Sequence, residues 1–274
     1  MRRVNDRDLP PIICDRLARG LQTSIFRDVE TLLNRPRPRI QVEAGTGLKG
    51  LRRRALAFKR NMGKLNLDAV FSSRDGVLHL MSAGLTRSAD GRTTFLSAHD
   101  HRIDLYSCDP VDPGRDGVSL CLMSPHAVRR IIQRQRTSSL ENMFRLLRAG
   151  ADWSLAAMHY GYRGNYCAPL EDGFLACGSE PWSDDGARSF RDVHIKTFIG
   201  HDQMTEDTRK RWSWMVSRGA LERRPRISDD LISMEDFREV FAVMIEDGQR
   251  WEARRDHAMM RREGRQECTH EPAP

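Results

Sequence analysis

Aromatic residues and long apolar runs are both scarce in this chain of 274 residues. Phe, Trp and Tyr together make up only 7% of the residues, whereas charged residues make up 30%. No apolar run approaches the roughly 20 residues that a membrane-spanning helix needs. The composition therefore predicts a globular protein with a heavily charged surface and no membrane partner.

Signals for secretion, disulfides and bound cofactors are also missing. The first residues, MRRVNDRDLPPIICDRL, lack the apolar core and the cleavage site of a secretory signal, so we expect a cytoplasmic protein. The six cysteines form no CxxC pair, and several occur in apolar runs such as SLCLM and FLACG, which predicts reduced, packed thiols. The glycine-rich EAGTGLKG lacks the ending of a phosphate-binding loop, and we predict no cofactor.

Positive charge is what the chain has in excess. Its formal net charge is +7 and its pI is about 9.4, largely because of arginine. A basic surface of this kind favours a polyanionic partner over a neutral small molecule. RNA, DNA and an acidic protein all fit that description, and charge alone does not choose among them.

The apolar pattern divides the chain into three regions. Residues 1–65 form a predicted N-terminal helical region, 66–220 an α+β core domain, and 221–274 a C-terminal helix followed by a disordered tail. The predicted fold class is α+β, an antiparallel sheet packed against a helix pair, with additional N- and C-terminal helices. Turn signals separate five β-prone runs that predict an antiparallel meander. The runs are Ala69–Phe71, Val77–Met81, Thr93–Ala98, Ile103–Tyr106 and Val118–Met123.

The predicted helix pair follows this meander directly. Ser124-Pro125 is typical of a helix start, because serine caps the first N–H groups and proline suits the first helical position. Ser138 and Glu141 have the spacing of a capping box that starts a second helix, and Gly150 is expected to end this helix. At about 100° per residue, the first helix has apolar side chains on one side and a polar row on the other. The polar row comprises His126, Arg129, Arg130, Gln133 and Arg134.

His126 is the candidate general base of this row. The helix N-terminus and the neighbouring guanidinium groups disfavour the imidazolium, which predicts a neutral imidazole near pH 7. Arg130 and Arg134, one and two turns further on, have the planar fork that binds phosphate oxygens. A neutral base beside fixed cations fits RNA cleavage without a metal. The same residues are also compatible with an ordinary solvated helix face.

The pattern His126-Ala127-x-x-Arg130-x-x-x-Arg134, followed by a second helix and strands, resembles the H-A-x-x-R-x-x-x-R core of small RelE-like toxin domains with the barnase–EndoU–colicin fold. The resemblance covers roughly residues 120–214. It implies a helix pair against a curved antiparallel sheet and a metal-independent ribonuclease of toxin or defence type. The motif histidine falls on His126 and the motif arginines on Arg130 and Arg134. An antitoxin or another acidic protein then becomes a candidate partner beside RNA.

The late strand VHIKTFIG supplies further candidates. In strand geometry His194 and Lys196 share one face, whereas Thr197 shares the apolar face with Ile195, so Thr197 is expected to point inward. The resemblance implies further polar residues on the later strands, and Lys196 is the fourth predicted catalytic residue. The chain departs from the family in its length and in the insert SEPWSDDGARSFRD, which precedes this strand.

Two other functions remain open. The arginines would only neutralise phosphates in a non-catalytic nucleic-acid-binding or regulatory protein. In a metal hydrolase, His99 and His101 would share one face of a strand and bind the metal, although no distinctive spacing supplies a third ligand. The sequence does not decide whether the chain is an enzyme.

Overall fold

The computed structural model describes residues 11–36, 47–88, 90–106, 117–135, 139–159, 162, 164–179, 193–221, 238–250 and 253. Two helices come first, α1 (Pro11–Leu33) and α2 (Leu48–Met62), and a 3-10 turn, Gly63–Leu65, leads into the sheet. The next elements are β1 (Asn66–Ser72), β2 (Val77–Arg87), β3 (Thr94–Asp104), β4 (Val118–Met123), α3 (Pro125–Gln135) and α4 (Leu140–His159). The chain continues through β5 (Asn165–Leu170), β6 (Gly173–Ser179), β7 (Val193–Gly200), α5 (Glu206–Ser217) and a last helix, α6 (238–250).

The seven strands form one mixed sheet in the order β1-β2-β3-β4-β7-β6-β5. The predicted meander is present as β1 to β4, and the predicted α and β content is confirmed. The prediction of a purely antiparallel sheet is wrong, because β4 and β7 are parallel. Two helices separate β4 from β5, and the chain re-enters the sheet at its far edge. Strands β5, β6 and β7 form a second antiparallel meander that starts at this edge. Its last strand, β7, therefore lies beside β4 and runs in the same direction.

Two element boundaries also differ from the prediction. The runs at 93–98 and 103–106 form one strand, β3, because the polar stretch between them pairs with β2 throughout. Gly150 does not end a helix but lies inside α4, where a Cβ would come within 2.5 Å of Ile195 and 3.0 Å of Cys121. The glycine is therefore a point of close helix–sheet packing. The cap of α4 is Ser139, whose hydroxyl accepts from Asn142 N–H at 3.1 Å, whereas Ser138 lies outside the described residues.

One hydrophobic cluster joins the sheet to the helices around it. Buried side chains of α1, α2 and α6, among them Ile25, Phe58 and Phe241, belong to the same cluster as those of the strands. The thiol side chains of Cys121, Cys167 and Cys177 are buried. The side chains of the other three cysteines lie outside the described residues.

The sheet has two chemically different faces. Ile195 and Cys121 contact α4 at Gly150, which defines the helix face. Alternation along the strands puts Leu122 and His194 on the opposite side. We call this opposite side the polar face. It carries Ser82, Gly84 and Thr86 from β2, Ser97, His99 and His101 from β3, and His194 and Lys196 from β7.

A β-bulge at Lys196 interrupts the pairing of β7 with β6. Cys177 pairs with Ile195 and Ala176 pairs with Thr197, so Lys196 has no partner residue on β6. A bulge of this kind changes which way the following side chains point. Ile199 accordingly lines a pocket together with Phe174, although simple alternation groups it with Ile195. Thr197 is buried and Lys196 is half-buried. The predicted shared face of Thr197 and Ile195 is wrong, because their partners Ala176 and Cys177 are consecutive residues of β6 and so lie on opposite faces of the sheet.

Candidate functional site

The polar row of α3 begins at a well-formed helix start. The Ser124 hydroxyl accepts a hydrogen bond from the N–H of Ala127 at 3.1 Å, which confirms the predicted cap. The apolar side of the helix, Val128, Ile131 and Ile132, is buried. His126 is therefore held in the first turn with its side chain exposed. This is the place where the sequence predicted a base.

The surroundings of His126 favour a neutral imidazole. The pKa of His126 lies below its ordinary value, mainly because of partial burial and then because of the positive charges of Arg130 and Arg129. The Nη2 of Arg129 lies 3.1 Å from Nδ1 of His126. A guanidinium only donates, so Nδ1 accepts and the proton of the neutral ring is on Nε2. The lone pair that a general base needs is thus occupied by Arg129.

Helix α1 covers one side of the polar row. Asp15 accepts a hydrogen bond from Nε2 of Gln133 at 3.0 Å, and its carboxylate is 3.8 Å from Nε of Arg129. The hydrogen bond from Arg19 is the largest cause that keeps the pKa of Asp15 below its ordinary value, with Arg129 and Gln133 adding to it. The row is therefore an exposed strip beside α1 and not a fully open helix face.

Arg130 and Arg134 differ in how firmly they are held. Arg130 is exposed and donates to the side chain of Gln133 at 3.3 Å. Arg134 is half-buried and donates from Nη1 to the backbone oxygen of Phe198 at 2.7 Å. That oxygen is accessible because the pairing of β4 with β7 extends only to Ile195. Burial and the charge of Arg130 lower the pKa of Arg134, and a guanidinium nevertheless stays charged at neutral pH.

Lys196 lies in a different environment from the three α3 residues. Its ammonium donates to Oδ1 of Asn165 at 2.7 Å, across Gly178 of the intervening strand. It belongs to the polar face of the sheet, whereas His126 and Arg130 lie on the exposed strip of α3. Of the four predicted catalytic residues, His126, Arg130 and Arg134 therefore lie together on α3, whereas Lys196 lies apart from them on the sheet.

His99 and His101 share one face, as their spacing predicted, but both imidazoles bond to serines. The Ser97 hydroxyl lies 2.7 Å from Nε2 of His99, and the Ser82 hydroxyl lies 2.7 Å from Nε2 of His101. The His99 ring lies over Gly84, where a Cβ would come within 2.8 Å of it. Within the described residues no group of three or more His, Cys, Asp or Glu side chains could hold a metal ion.

Arg134 also reaches a pocket of about 190 Å³ that the sequence did not reveal. Asp247 and Arg250 of α6 line this pocket together with residues after β7. Arg129 had a detectable sequence signal, because it lies three residues after His126 on the same helix side. The participation of Asp15 and Asp247 had none, since both come from elements distant in sequence.

Among the described residues the helices are too short or too polar to cross a bilayer. Comparison of the chain with family models, with curated proteins and with solved structures finds no match.

Proposed function

We propose that this protein is a metal-independent ribonuclease of toxin or defence type. The observation that carries the proposal is the His126 imidazole, which is exposed, depressed in pKa and adjacent to two guanidinium groups. Phosphodiester transfer without a metal requires a base that is neutral at pH 7 and fixed positive charge for the phosphate. The local resemblance of this helix to RelE-like toxin cores supports the same reading.

In the proposed reaction His126 removes the proton from a ribose 2′-OH. The 2′ oxygen then attacks the adjacent phosphorus, an O2′–P bond forms and the bond from phosphorus to the 5′ oxygen breaks. The 5′ oxygen takes a proton from water and the His126 imidazolium returns its proton to the solvent, so the products are a 2′,3′-cyclic phosphate and a 5′-hydroxyl. Arg130 stabilises the charge that develops on the oxygens of this phosphate, and Arg134, further along the same row, holds a neighbouring phosphate of the same strand.

Arg129 has a specific part in this proposal. In the free protein its guanidinium occupies the lone pair on Nδ1 of His126. Guanidinium groups bind phosphate more strongly than they bind a neutral acceptor. An arriving phosphate therefore draws Arg129 away and leaves Nδ1 free to accept the 2′-OH proton. Lys196 joins the reaction only if the RNA also crosses the polar face of the sheet.

The test is incubation of the purified protein with total RNA, with and without EDTA, followed by gel electrophoresis. We expect cleavage that EDTA does not affect and that His126→Ala reduces by about 10²- to 10⁴-fold. Arg130→Ala lowers the rate less, because the other arginines partly replace it. Arg102→Ala removes an exposed arginine of β3 and is the matched control, with an unchanged rate expected.

His99→Ala separates this proposal from a metal hydrolase. The ribonuclease proposal expects RNA cleavage to persist in this variant, provided that circular dichroism shows an intact fold. Cleavage that EDTA abolishes and that His126→Ala leaves unchanged would refute the proposal.

Non-catalytic nucleic-acid binding is the second candidate. The observation that favours it is the anchoring of Arg134 to the Phe198 carbonyl, which suits a static phosphate contact. RNA that is bound in a salt-dependent manner but stays intact in every condition would support this candidate.

A further inference from the structure

A pocket at the C-terminal end of the polar row brings together charged and polar residues from three distant segments. Arg134 comes from α3, Thr205 and Thr208 from the start of α5, and Asp247 and Arg250 from α6. Its apolar lining consists of Cys167, Phe174, Ile199 and Met204. Charged side chains next to an apolar floor are typical of small-ligand sites.

Asp247 lines the pocket and is itself buried. Only 7% of the residue is exposed, and one carboxylate oxygen accepts from Nε of Arg211 at 2.6 Å. The other oxygen, Oδ2, is buried and has no hydrogen-bond partner among the described residues. Burial raises the pKa of Asp247 despite the nearby Arg211. A buried carboxylate oxygen without a donor is costly, so the position favours a ligand that brings an O–H or N–H group.

Whereas Asp247 favours a ligand group that donates a hydrogen bond, Arg134 favours a negatively charged group. Arg250 is paired with Asp207 at 2.9 Å, and Asp247 is paired with Arg211, so these groups neutralise one another. No carboxylate of the described residues pairs with Arg134, and only one of its N–H groups is used, at Phe198. The pocket therefore keeps one net positive charge, which suits a singly charged phosphate.

The start of α5 reinforces this preference for an anion. Thr205 caps the helix by accepting from the N–H of Thr208 at 3.2 Å, and both threonines line the pocket. The first turn also holds two carboxylates, but Asp207 is paired with Arg250 and Glu206 is paired with Lys210 at 2.8 Å. The helix dipole at this end favours negative charge.

We propose that the pocket binds the ribose and phosphate of a single RNA nucleotide, with Arg134 binding the phosphate and Asp247 accepting a hydrogen bond from the ribose 2′-OH. The choice of RNA rests on the proposed function. A volume of about 190 Å³ is below the roughly 300 Å³ at which pockets for drug-sized ligands begin, so a sugar phosphate fits and the base stays outside. A carboxylate that accepts from a 2′-OH distinguishes RNA from DNA.

The bound nucleotide is not the one that is cleaved. Arg134 lies eight residues after His126, which is about 12 Å along the helix axis. The two side chains therefore meet different phosphates of the same strand. The pocket thus selects RNA at a position beside the cleaved bond.

The experiment is isothermal titration calorimetry of the full chain with adenosine 5′-monophosphate, its 2′-deoxy analogue, ribose 5-phosphate and inorganic phosphate. None of these contains the bond that a ribonuclease cleaves. We expect the two ribose ligands to bind with similar affinity, and the deoxy analogue and inorganic phosphate to bind about 10- to 100-fold more weakly. Equal affinity for the ribo and deoxy compounds, or no binding of either, overturns the inference.

Single substitutions test which residue contacts the ribose and which contacts the phosphate. Asp247→Asn should remove the preference for ribose, and Arg134→Gln should weaken all four ligands. Glu246→Gln is the matched control, because Glu246 also pairs with Arg211, at 2.9 Å, but is exposed and does not line the pocket. The comparison of ribo and deoxy ligands in the unmodified protein stands even if Asp247→Asn fails to fold.

The outcome is independent of the cleavage assay. Ribose-dependent binding together with intact total RNA supports the pocket and refutes the ribonuclease. Cleavage that depends on His126, without ribose-dependent binding, supports the ribonuclease and refutes the pocket.

Discussion

At the scale of single residues, His126 shows how neighbours set the chemistry of a side chain. Partial burial lowers its pKa most, then Arg130, then Arg129. The order is informative, because Arg129 makes the hydrogen bond while Arg130 has the larger electrostatic effect. The two arginines thus have different roles. Arg129 forms a hydrogen bond to the lone pair on Nδ1, whereas the charge of Arg130 disfavours the protonated ring.

Arg130→Ala and Arg129→Ala should therefore each raise the pKa of His126, the first by removing a nearby charge and the second by removing a charge and the hydrogen bond to Nδ1. NMR titration of the His126 ring protons measures both shifts, and Arg102→Ala is the control for a generic loss of charge. Because the base works only when neutral, the lower pH limit of RNA cleavage should move upward in Arg130→Ala. An unchanged His126 titration in both variants would show that these arginines do not act on the imidazole.

His99 is the second residue whose protonation matters, in this case for stability. Burial, with a smaller effect of His101, lowers the pKa of His99 from 6.5 to about 4. The unfolded chain binds the proton more readily than the folded one, so protonation favours unfolding. The stabilising contribution is complete above about pH 6.5 and is lost progressively down to about pH 4. The difference corresponds to an upper bound of about 3 kcal/mol.

Urea unfolding at a series of pH values tests this contribution. The free energy of unfolding should fall between pH 6.5 and pH 4 in the wild type and fall less steeply in His99→Gln, which does not titrate. Parallel pH profiles for the two proteins would mean that His99 is not a buried neutral imidazole.

At the scale of elements, Gly150 shows a packing constraint overriding local propensity. A glycine inside a helix is normally less stable than alanine by about 0.5–1 kcal/mol. At Gly150 a Cβ would approach Ile195 to 2.5 Å, so the sheet and the helix would have to move apart. The close approach of α4 to β7 accounts for a glycine that the sequence pattern alone assigns to a helix end.

Gly150→Ala should therefore destabilise the protein by about 1–3 kcal/mol, as overpacked cores do. Gly20→Ala is the matched control, because Gly20 also lies in a helix but has no atom within 4 Å of a Cβ. That substitution should stabilise by about 0.5–1 kcal/mol. Thermal or urea unfolding measures both changes, and a stabilising Gly150→Ala would contradict the packing argument.

An element could be predicted when the residues that interact to form it are close together in the sequence. Local signals were sufficient for the cap at Ser124, because its hydroxyl bonds to a backbone N–H only three residues further on. The meander of β1 to β4 was also predictable, since its strands are neighbours in sequence. The parallel pairing of β4 with β7 depends on residues about 70 positions apart, and no local pattern records it.

At the scale of the whole molecule, the same limit applies to the site. The polar row of α3 was visible in the sequence because one helix supplies all its members. The pocket beside Arg134 was not, because Asp247 reaches it only when α6 packs on the sheet at Asn165. The bulge at Lys196 likewise changes which side chains of β7 point into the pocket, and it is set by pairing with β6.

The net charge of +7 leads to the last prediction, which concerns salt. Each phosphate contact with a single strand adds about 0.7 to the slope of log affinity against log salt, because bound counterions are released. RNA binding measured by fluorescence anisotropy in Arg130→Ala should therefore lose about 0.7 from the magnitude of this slope. Arg102→Ala should retain the wild-type slope if the RNA follows the row on α3.

Asp247→Asn should behave differently from both arginine variants. The 2′-OH contact releases no counterion, so the salt slope should stay at the wild-type value while the preference for RNA over DNA of the same sequence declines. A slope that is flat in the wild type would exclude a phosphate-binding surface altogether. Equal losses of slope in Arg130→Ala and Arg102→Ala would mean that the whole basic surface attracts RNA without a defined path, and the row on α3 would then have no special role in binding.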